Sequence, residues 1–140
     1  MSRIAELRST LHRVPLIRPW GPDTRDIHLV VTELTQPAYR AIGVGLYSSA
    51  VFCFAPEIAA AYCRAQDEDP ELAGRLLGEF YAPLVELRSR VPGYAVALVK
   101  AAVRLRGLDV GPVRPPLVEP TEEHLDELFR IIKTGLEIIS

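Results

Sequence analysis

The stretch "GVGLYSSAVFCFAP", residues 43–56, decides how the rest of the chain is read. Gly43 and Gly45 make a turn, and a short apolar run follows through Leu46 and Tyr47. Ser48 and Ser49 then break the apolar run before Val51, and Pro56 stands where a helix begins. The pattern predicts a short buried strand over 44–49 that carries hydroxyls at its end. Pro56 is suited to the first helical position, where a missing N–H leaves no hydrogen bond unmade.

Working outward toward the N-terminus, "IHLVVT" at 27–32 is β-branched and mostly apolar, as a strand buried on both faces would be. "QPAYRAIG" between the two strands predicts a short helix closed by Gly43. Strand, helix and strand in 27–49 make one βαβ unit with two parallel strands. Two parallel strands do not form an independent sheet, so the pair belongs to something larger or is embedded among helices. Residues 2–12 fit an amphipathic helix with Ile4, Leu7 and Leu11 on one face. Pro15, Pro19, Gly21 and Pro22 exclude regular structure after it. The division expected is 1–26, an N-terminal helix and proline-rich segment, and 27–140, with helices over 56–139.

Toward the C-terminus every segment has helical spacing. Ile58, Ala61, Tyr62 and Ala65 share a face of the helix that Pro56 opens. Asp69 and Pro70 form the cap and first residue of the next, with a stripe of Leu72, Leu76, Phe80, Leu84 and Leu87. Pro83 falls inside that stripe and predicts a bend. "VPG" at 91–93 stops it. "YAVALVKAAVRLRG" is apolar on nearly all sides, which predicts the most buried helix, ended by Gly107. "GPVRPPLVEP" is an extended, proline-stiffened crossing. Thr121 caps the last helix, Glu122 and Glu123 complement its N-terminal dipole, and Leu125, Leu128, Phe129, Ile132, Leu136 and Ile139 are its expected core stripe.

The chain has 140 residues, 49% of them apolar, and a net charge of −2. That is one domain's length with ample core material, and it gives no electrostatic reason to expect nucleic acid or an anionic membrane as partner. The N-terminus lacks the apolar core of a signal peptide, and no apolar run reaches the length of a membrane span, so a cytoplasmic protein is expected. Cys53 and Cys63 lie in apolar surroundings at no metal-ligand spacing and read as buried free thiols.

Few residues carry chemistry on their own. His12, His28 and His124 are scattered and form no paired-ligand spacing, so no metal site is expected. Neither Ser48 nor Ser49 sits in a nucleophile elbow. "GVG" at 43–45 is too short for a phosphate loop. Arg114 reads as a structural arginine pairing with a carboxylate or helix C-terminus. The only lysines are Lys100 and Lys133, read as a structural residue and a solvated charge.

"AYRAIGVGLYSSAVFCFAPEIAAAYCRA" and "GYAVALVKAAVRLRGLDVGPVRPPL", in this order and spacing, resemble the C-terminal part of the 5-dehydro-4-deoxyglucarate dehydratases. These belong to the dihydrodipicolinate synthase and N-acetylneuraminate lyase superfamily. The resemblance runs over about residues 30–139; residues 1–26 match poorly. It implies a helix-rich α/β chain equivalent to part of a (β/α)8 TIM barrel, with 27–32 as strand seven, 44–49 as strand eight, and a C-terminal helical extension. A complete barrel takes about 250 residues, so this is not a complete one. Barrel active sites sit at the C-terminal ends of the strands, which makes Tyr47, Ser48 and Ser49 the candidate substrate-binding residues at the pocket rim.

The resemblance further implies a lyase that dehydrates and decarboxylates 5-dehydro-4-deoxy-D-glucarate to 2,5-dioxopentanoate through a lysine Schiff base, with no cofactor. The Schiff-base lysine belongs to strand six, which this sequence lacks; Lys100 matches a lysine of the family's C-terminal helices instead. No catalytic residue is therefore assigned, and the chain alone is expected to be inactive. The sugar acid is a partner only if other strands complete the barrel. The alternative is a non-catalytic remnant or an interaction and oligomerisation subunit. Unpaired strand edges favour a homo-oligomer. Cys53 stands where the family usually has asparagine, which changes local hydrogen bonding.

Overall fold

Asp69 and Pro70 show how directly local sequence becomes structure here. The Asp69 carboxylate accepts the Leu72 N–H at 3.0 Å, and Pro70 occupies the first turn of the helix that follows. A computed structural model describes residues 34–41 and 49–140. The chain divides into two units, Met1–Val30 and Val31–Ser140, and every described residue belongs to the second. Its elements are α1 (Gln36–Ala41), a 3-10 turn (Ala50–Cys53), α2 (Pro56–Glu68), α3 (Pro70–Leu76), a π turn (Leu77–Tyr81), α4 (Ala82–Ser89), α5 (Tyr94–Leu105) and α6 (Glu122–Ile138). The helix expected over 2–12 and the strands expected over 27–32 and 44–49 lie outside the described residues, Ser49 excepted.

Among the described residues the predicted helix starts and stops hold, while Gly43, expected to close α1, lies outside them. Pro56 begins α2. The Thr121 hydroxyl accepts the His124 N–H at 3.3 Å at the start of α6. Gly107 adopts φ 94° after α5, and the Leu108 N–H returns to the Val103 carbonyl at 3.2 Å, closing the helix end as a left-handed glycine permits. Gly93 is also left-handed, at φ 91°, and a Cβ there would lie 2.8 Å from Leu117 Cδ2.

At Pro83, where a bend was expected, the helix passes through a π turn. Proline lacks an N–H, and its ring would collide with the Glu79 carbonyl in a regular α-helix. The helix widens in the preceding turn, where the Ala82 N–H reaches the Leu77 carbonyl five residues back. The stripe thereby stays inward: Leu76, Phe80, Leu84 and Leu87 are all buried. Tyr62 of α2 packs on Tyr81 at 4.8 Å between ring centroids, and Phe80 meets Tyr81 edge to face at 4.9 Å.

One expectation holds with a qualification and two need correction. First, α5 is the most buried of the described helices, as expected, though not on every side. Ala97, Leu98, Ala101 and Ala102 are buried against α4, α6 and the 3-10 turn, but Val96 is 51% and Leu105 41% exposed on the side these leave open. Second, Phe129 is not in the core stripe of α6; it is 53% exposed, and Ile131 is buried in its stead beside Leu128, Ile132 and Gly135. The physical reason is Gly135. It lets α6 lie directly against Phe80 and Ile58 on the face that carries Leu128, Ile131 and Ile132, and Phe129 falls outside that face. Third, Cys53 is exposed at the end of the 3-10 turn and Cys63 is only half-buried, although both are free thiols.

The crossing between α5 and α6 is pinned by polar contacts to α5. Arg104 donates to the Gly111 carbonyl at 2.7 Å and to Glu119 at 2.6 Å. The other Glu119 oxygen accepts the Val113 N–H at 2.7 Å. Lys100 Nζ donates to the Pro112 carbonyl at 2.6 Å, so its structural reading is correct. Arg90 closes the opposite side with a bidentate pair to Glu127, at 2.7 and 2.9 Å, joining the C-terminal end of α4 to α6.

Candidate functional site

Of the three rim candidates, Tyr47 and Ser48 lie outside the described residues. Ser49 is half-buried and sits on the threshold of the helical region. Its backbone is extended, at φ −136° and ψ 140°, and its Oγ accepts the Val51 N–H at 3.1 Å. Its carbonyl accepts the Phe52 N–H at 3.3 Å. Serine favours such local bonds, and here they start the 3-10 turn that sequence periodicity alone did not indicate. The Ser49-Ala50-Val51 step ahead of a proline-opened helix was the available signal.

Behind Ser49 the turn is fixed to the core. Val51, Phe54 and Ala55 are all at most 4% exposed. The Phe54 and Ala55 N–H groups return to the Val51 carbonyl at 3.1 and 2.7 Å. A cavity of about 80 Å3 remains between the turn, α4 and α5, walled by Val51, Phe54, Leu84, Leu98 and Val99 with Arg88 at its side. It is apolar and no larger than one side chain.

A larger hollow, about 540 Å3, opens between α1, α2 and α3, away from the turn. Pro37, Ala73, Gly74 and Leu77 give it an apolar lining, and Arg40 at its edge pairs with Asp67. Gln66 contributes to the lining, yet its Oε1 is shut off from solvent and unpartnered, as is Gln36 Oε1. Among the described residues no acid–base pair lines it, so volume alone does not make it the reactive centre.

The remaining chemistry-bearing side chains are used structurally. His124 shares a 2.9 Å hydrogen bond with the Tyr94 hydroxyl, and the two rings meet edge to face at 5.4 Å. His12 and His28 lie outside the described residues. Burial pushes the Cys63 thiol up, against the opposing pull of Arg40 and Arg64, so it is held as a thiol and not as a nucleophilic thiolate. Lys133 is 66% exposed beside Glu137 at 3.6 Å, as a solvated charge should be. Arg114 is exposed, and Arg104 anchors the crossing where Arg114 was expected to serve. Among the described residues no group of three His, Cys, Asp or Glu could hold a metal ion, and no helix is long and apolar enough to cross a membrane.

Residues 31–135, which include the Ser49 threshold, helices α1 to α5, the pinned crossing and most of α6, match the pattern of the dihydrodipicolinate synthetase family. The chain belongs to that family. Within it, the chain is 62% identical over 112 residues to a Streptomyces coelicolor protein named probable 5-dehydro-4-deoxyglucarate dehydratase 1. That alignment takes in 79% of this chain and 35% of the relative. A Streptomyces griseus protein of the same name, without the number, is 56% identical over 124 residues, 88% of this chain and 39% of its own length. The 5-dehydro-4-deoxyglucarate dehydratase of Pseudomonas putida is 43% identical over 106 residues, 75% of this chain and 35% of its own length. The resemblance seen in "YSSAVF" and "GPVRPPL" is thus borne out. The chain spans between about a third and two fifths of the length of these relatives. The family implies the TIM-barrel superfamily, and the described residues contribute helices to it, with no strand among them.

Proposed function

We propose that this chain forms the last part of a 5-dehydro-4-deoxyglucarate dehydratase, with Tyr47, Ser48 and the Ser49 threshold at the rim of the substrate pocket. The carrying observation is 62% identity across 112 residues to a relative of that name, over the stretch that holds the rim and the helices behind it. In this reading the substrate is the sugar acid 5-dehydro-4-deoxy-D-glucarate, and the products are 2,5-dioxopentanoate, water and CO2. Hydroxyls at a strand end suit such a substrate, because each can donate to a carboxylate or exchange hydrogen bonds with a sugar hydroxyl. The complete enzyme is read as a cytoplasmic homo-oligomer; exposed Leu108, Val118 and Phe129 supply apolar surface for contacts between copies.

The isolated chain does not catalyse the reaction in this reading. Its two lysines are occupied elsewhere: Lys100 Nζ holds the Pro112 carbonyl, and Lys133 lies on the open face of α6. A Schiff base needs a lysine enclosed with the substrate's keto group, so that lysine comes from barrel strands beyond this sequence. Incubation with pyruvate and borohydride, followed by intact-mass measurement, is expected to show no stoichiometric adduct. Co-expression with the remaining barrel strands of the Pseudomonas putida relative is expected to restore turnover of the sugar acid. An adduct on Lys100 or Lys133 would refute the first statement, and an inactive but assembled barrel the second.

One observation favours the alternative, a non-catalytic interaction module. Residues 49–139 close a continuous core from Val51 to Ile132 with helices alone. If the co-expressed strands assemble with this chain and no turnover appears, that alternative stands.

A further inference from the structure

We infer that the hollow between α1, α2 and α3 binds a small amphipathic carboxylate that carries an O–H or N–H group, at a site that shares no residue with the Ser49 turn and does not depend on the sugar-acid reading. Its volume, about 540 Å3, is that of a metabolite site and not of a packing defect. Ala73, Gly74 and Leu77 make one apolar wall, and Tyr62, its ring packed on Tyr81, makes another. The backbone does not require the glycine. Gly74 lies within α3 without a left-handed φ, and a Cβ there would meet nothing within 4 Å. A larger residue would fit and would strengthen the helix, because glycine weakens a helix interior. The absent side chain is what leaves the hollow open.

Two polar groups set the chemistry of the ligand. Arg40 stands at the edge and pairs with Asp67, the two side chains being 35% and 68% exposed. An ion pair so open to water contributes little, so a ligand carboxylate can replace Asp67 on the guanidinium at small cost and use its forked donors. Gln66 belongs to the wall, and its Oε1 has no partner. A rotation of the terminal amide brings that oxygen to the hollow, where a ligand O–H or N–H makes the bond it otherwise lacks. The walls between these groups call for an apolar body. A sugar acid suits them poorly, because hydroxyls set against Leu77 and Tyr62 would lose water without replacement.

Indoleacetate has this chemistry: an apolar fused ring, one N–H and one carboxylate. Titration calorimetry of the whole chain with indoleacetate is expected to show one site per chain at millimolar ligand or below. Amide exchange is expected to slow in residues 37–41 and 73–77 on binding and to stay unchanged in 96–105. Gly74→Leu fills the hollow and is expected to weaken binding by about tenfold or more while the helical circular dichroism is kept. Arg40→Gln and Gln66→Leu are each expected to weaken it about fivefold, and Val96→Ala not at all. Tryptophol, which has the ring and N–H but no carboxylate, is expected to bind more weakly and to ignore Arg40→Gln. No binding at millimolar indoleacetate, or binding that Gly74→Leu leaves unchanged, overturns the site. Tryptophol binding as tightly as indoleacetate overturns the assignment of a carboxylate. No binding together with a smaller oligomer for Gly74→Leu overturns the proposal by giving the hollow to a second chain.

Discussion

Gly135 of α6 faces the ring of Phe80 so closely that a Cβ at 135 would lie 2.6 Å from Phe80 Cδ2, and 2.7 Å from Ile58 Cδ1. Phe80 and Ile58 are both fully buried, so neither has open space to retreat into. Gly135→Ala should destabilise the fold by about 1–3 kcal/mol, the usual range for overpacking, despite alanine's better helix propensity. Urea denaturation followed by circular dichroism reads this directly. A midpoint at or above that of the wild type would show that α6 does not rest on this contact.

The two sides of α5 should respond differently. Leu98 is 2% exposed and Val96 51%. Leu98→Ala is expected to cost about 2–5 kcal/mol through lost burial and a cavity enlarging the small one already beside it. Val96→Ala is expected to stay within about 0.5 kcal/mol of wild type. Similar losses at the two positions would mean that another surface covers Val96 in solution.

Two side-chain caps make separable contributions. Asp69→Ala and Thr121→Ala each remove an acceptor from a first-turn N–H, of Leu72 and His124 respectively. Each is expected to cost about 1 kcal/mol, with amide exchange rising locally in α3 or at the start of α6. Asp69→Asn should retain most of its cap. If it loses as much as Asp69→Ala, the carboxylate's charge at the helix N-terminus matters more than its lone pair.

Acid should loosen the crossing before the helices. The Val113 N–H bonded to Glu119 does most to hold the Glu119 carboxyl below the usual carboxylate range; burial pushes the other way, and Arg104 and then Lys100 add to the lowering. A depressed folded-state pKa means that the contribution is fully present above the ordinary carboxylate range and is lost as pH falls through the folded value. The Val113 amide should therefore lose exchange protection below the usual carboxylate range, while α6 remains protected. Glu119→Gln should remove this acid response. A Val113 amide equally protected in acid would show that the crossing is held by Lys100 and Arg104 bonds to carbonyls alone.

Much of the fold was legible because its signals are local. Pro56, Asp69, Gly107 and Thr121 each act within one turn of their own position, through a missing N–H, a lone pair or a left-handed φ, and the structure uses every one of them as read. The family was legible too, since the order and spacing of two segments carried it. Ser49 was recognisable as a residue to watch, but its hydroxyl could have served a substrate or a turn, and the sequence does not say which N–H lies 3.1 Å away.

What the sequence by itself determined is therefore most of the described helices and their ends, and the family to which they belong. Only the tertiary structure decided which way those helices face. Phe129 and Ile131 both have the hydrophobicity for a core, and periodicity favoured Phe129; in the fold the face of α6 that meets Phe80 is the one with Gly135, Ile131 and Leu128. Arg104, Glu119 and Val113 are likewise far enough apart in the chain that no local rule joins them. Caps and turns are bonds between near neighbours and are written in order along the chain. The rotation of a packed helix depends on which small residue meets which large one across the core, and that pairing exists only once the chain has folded.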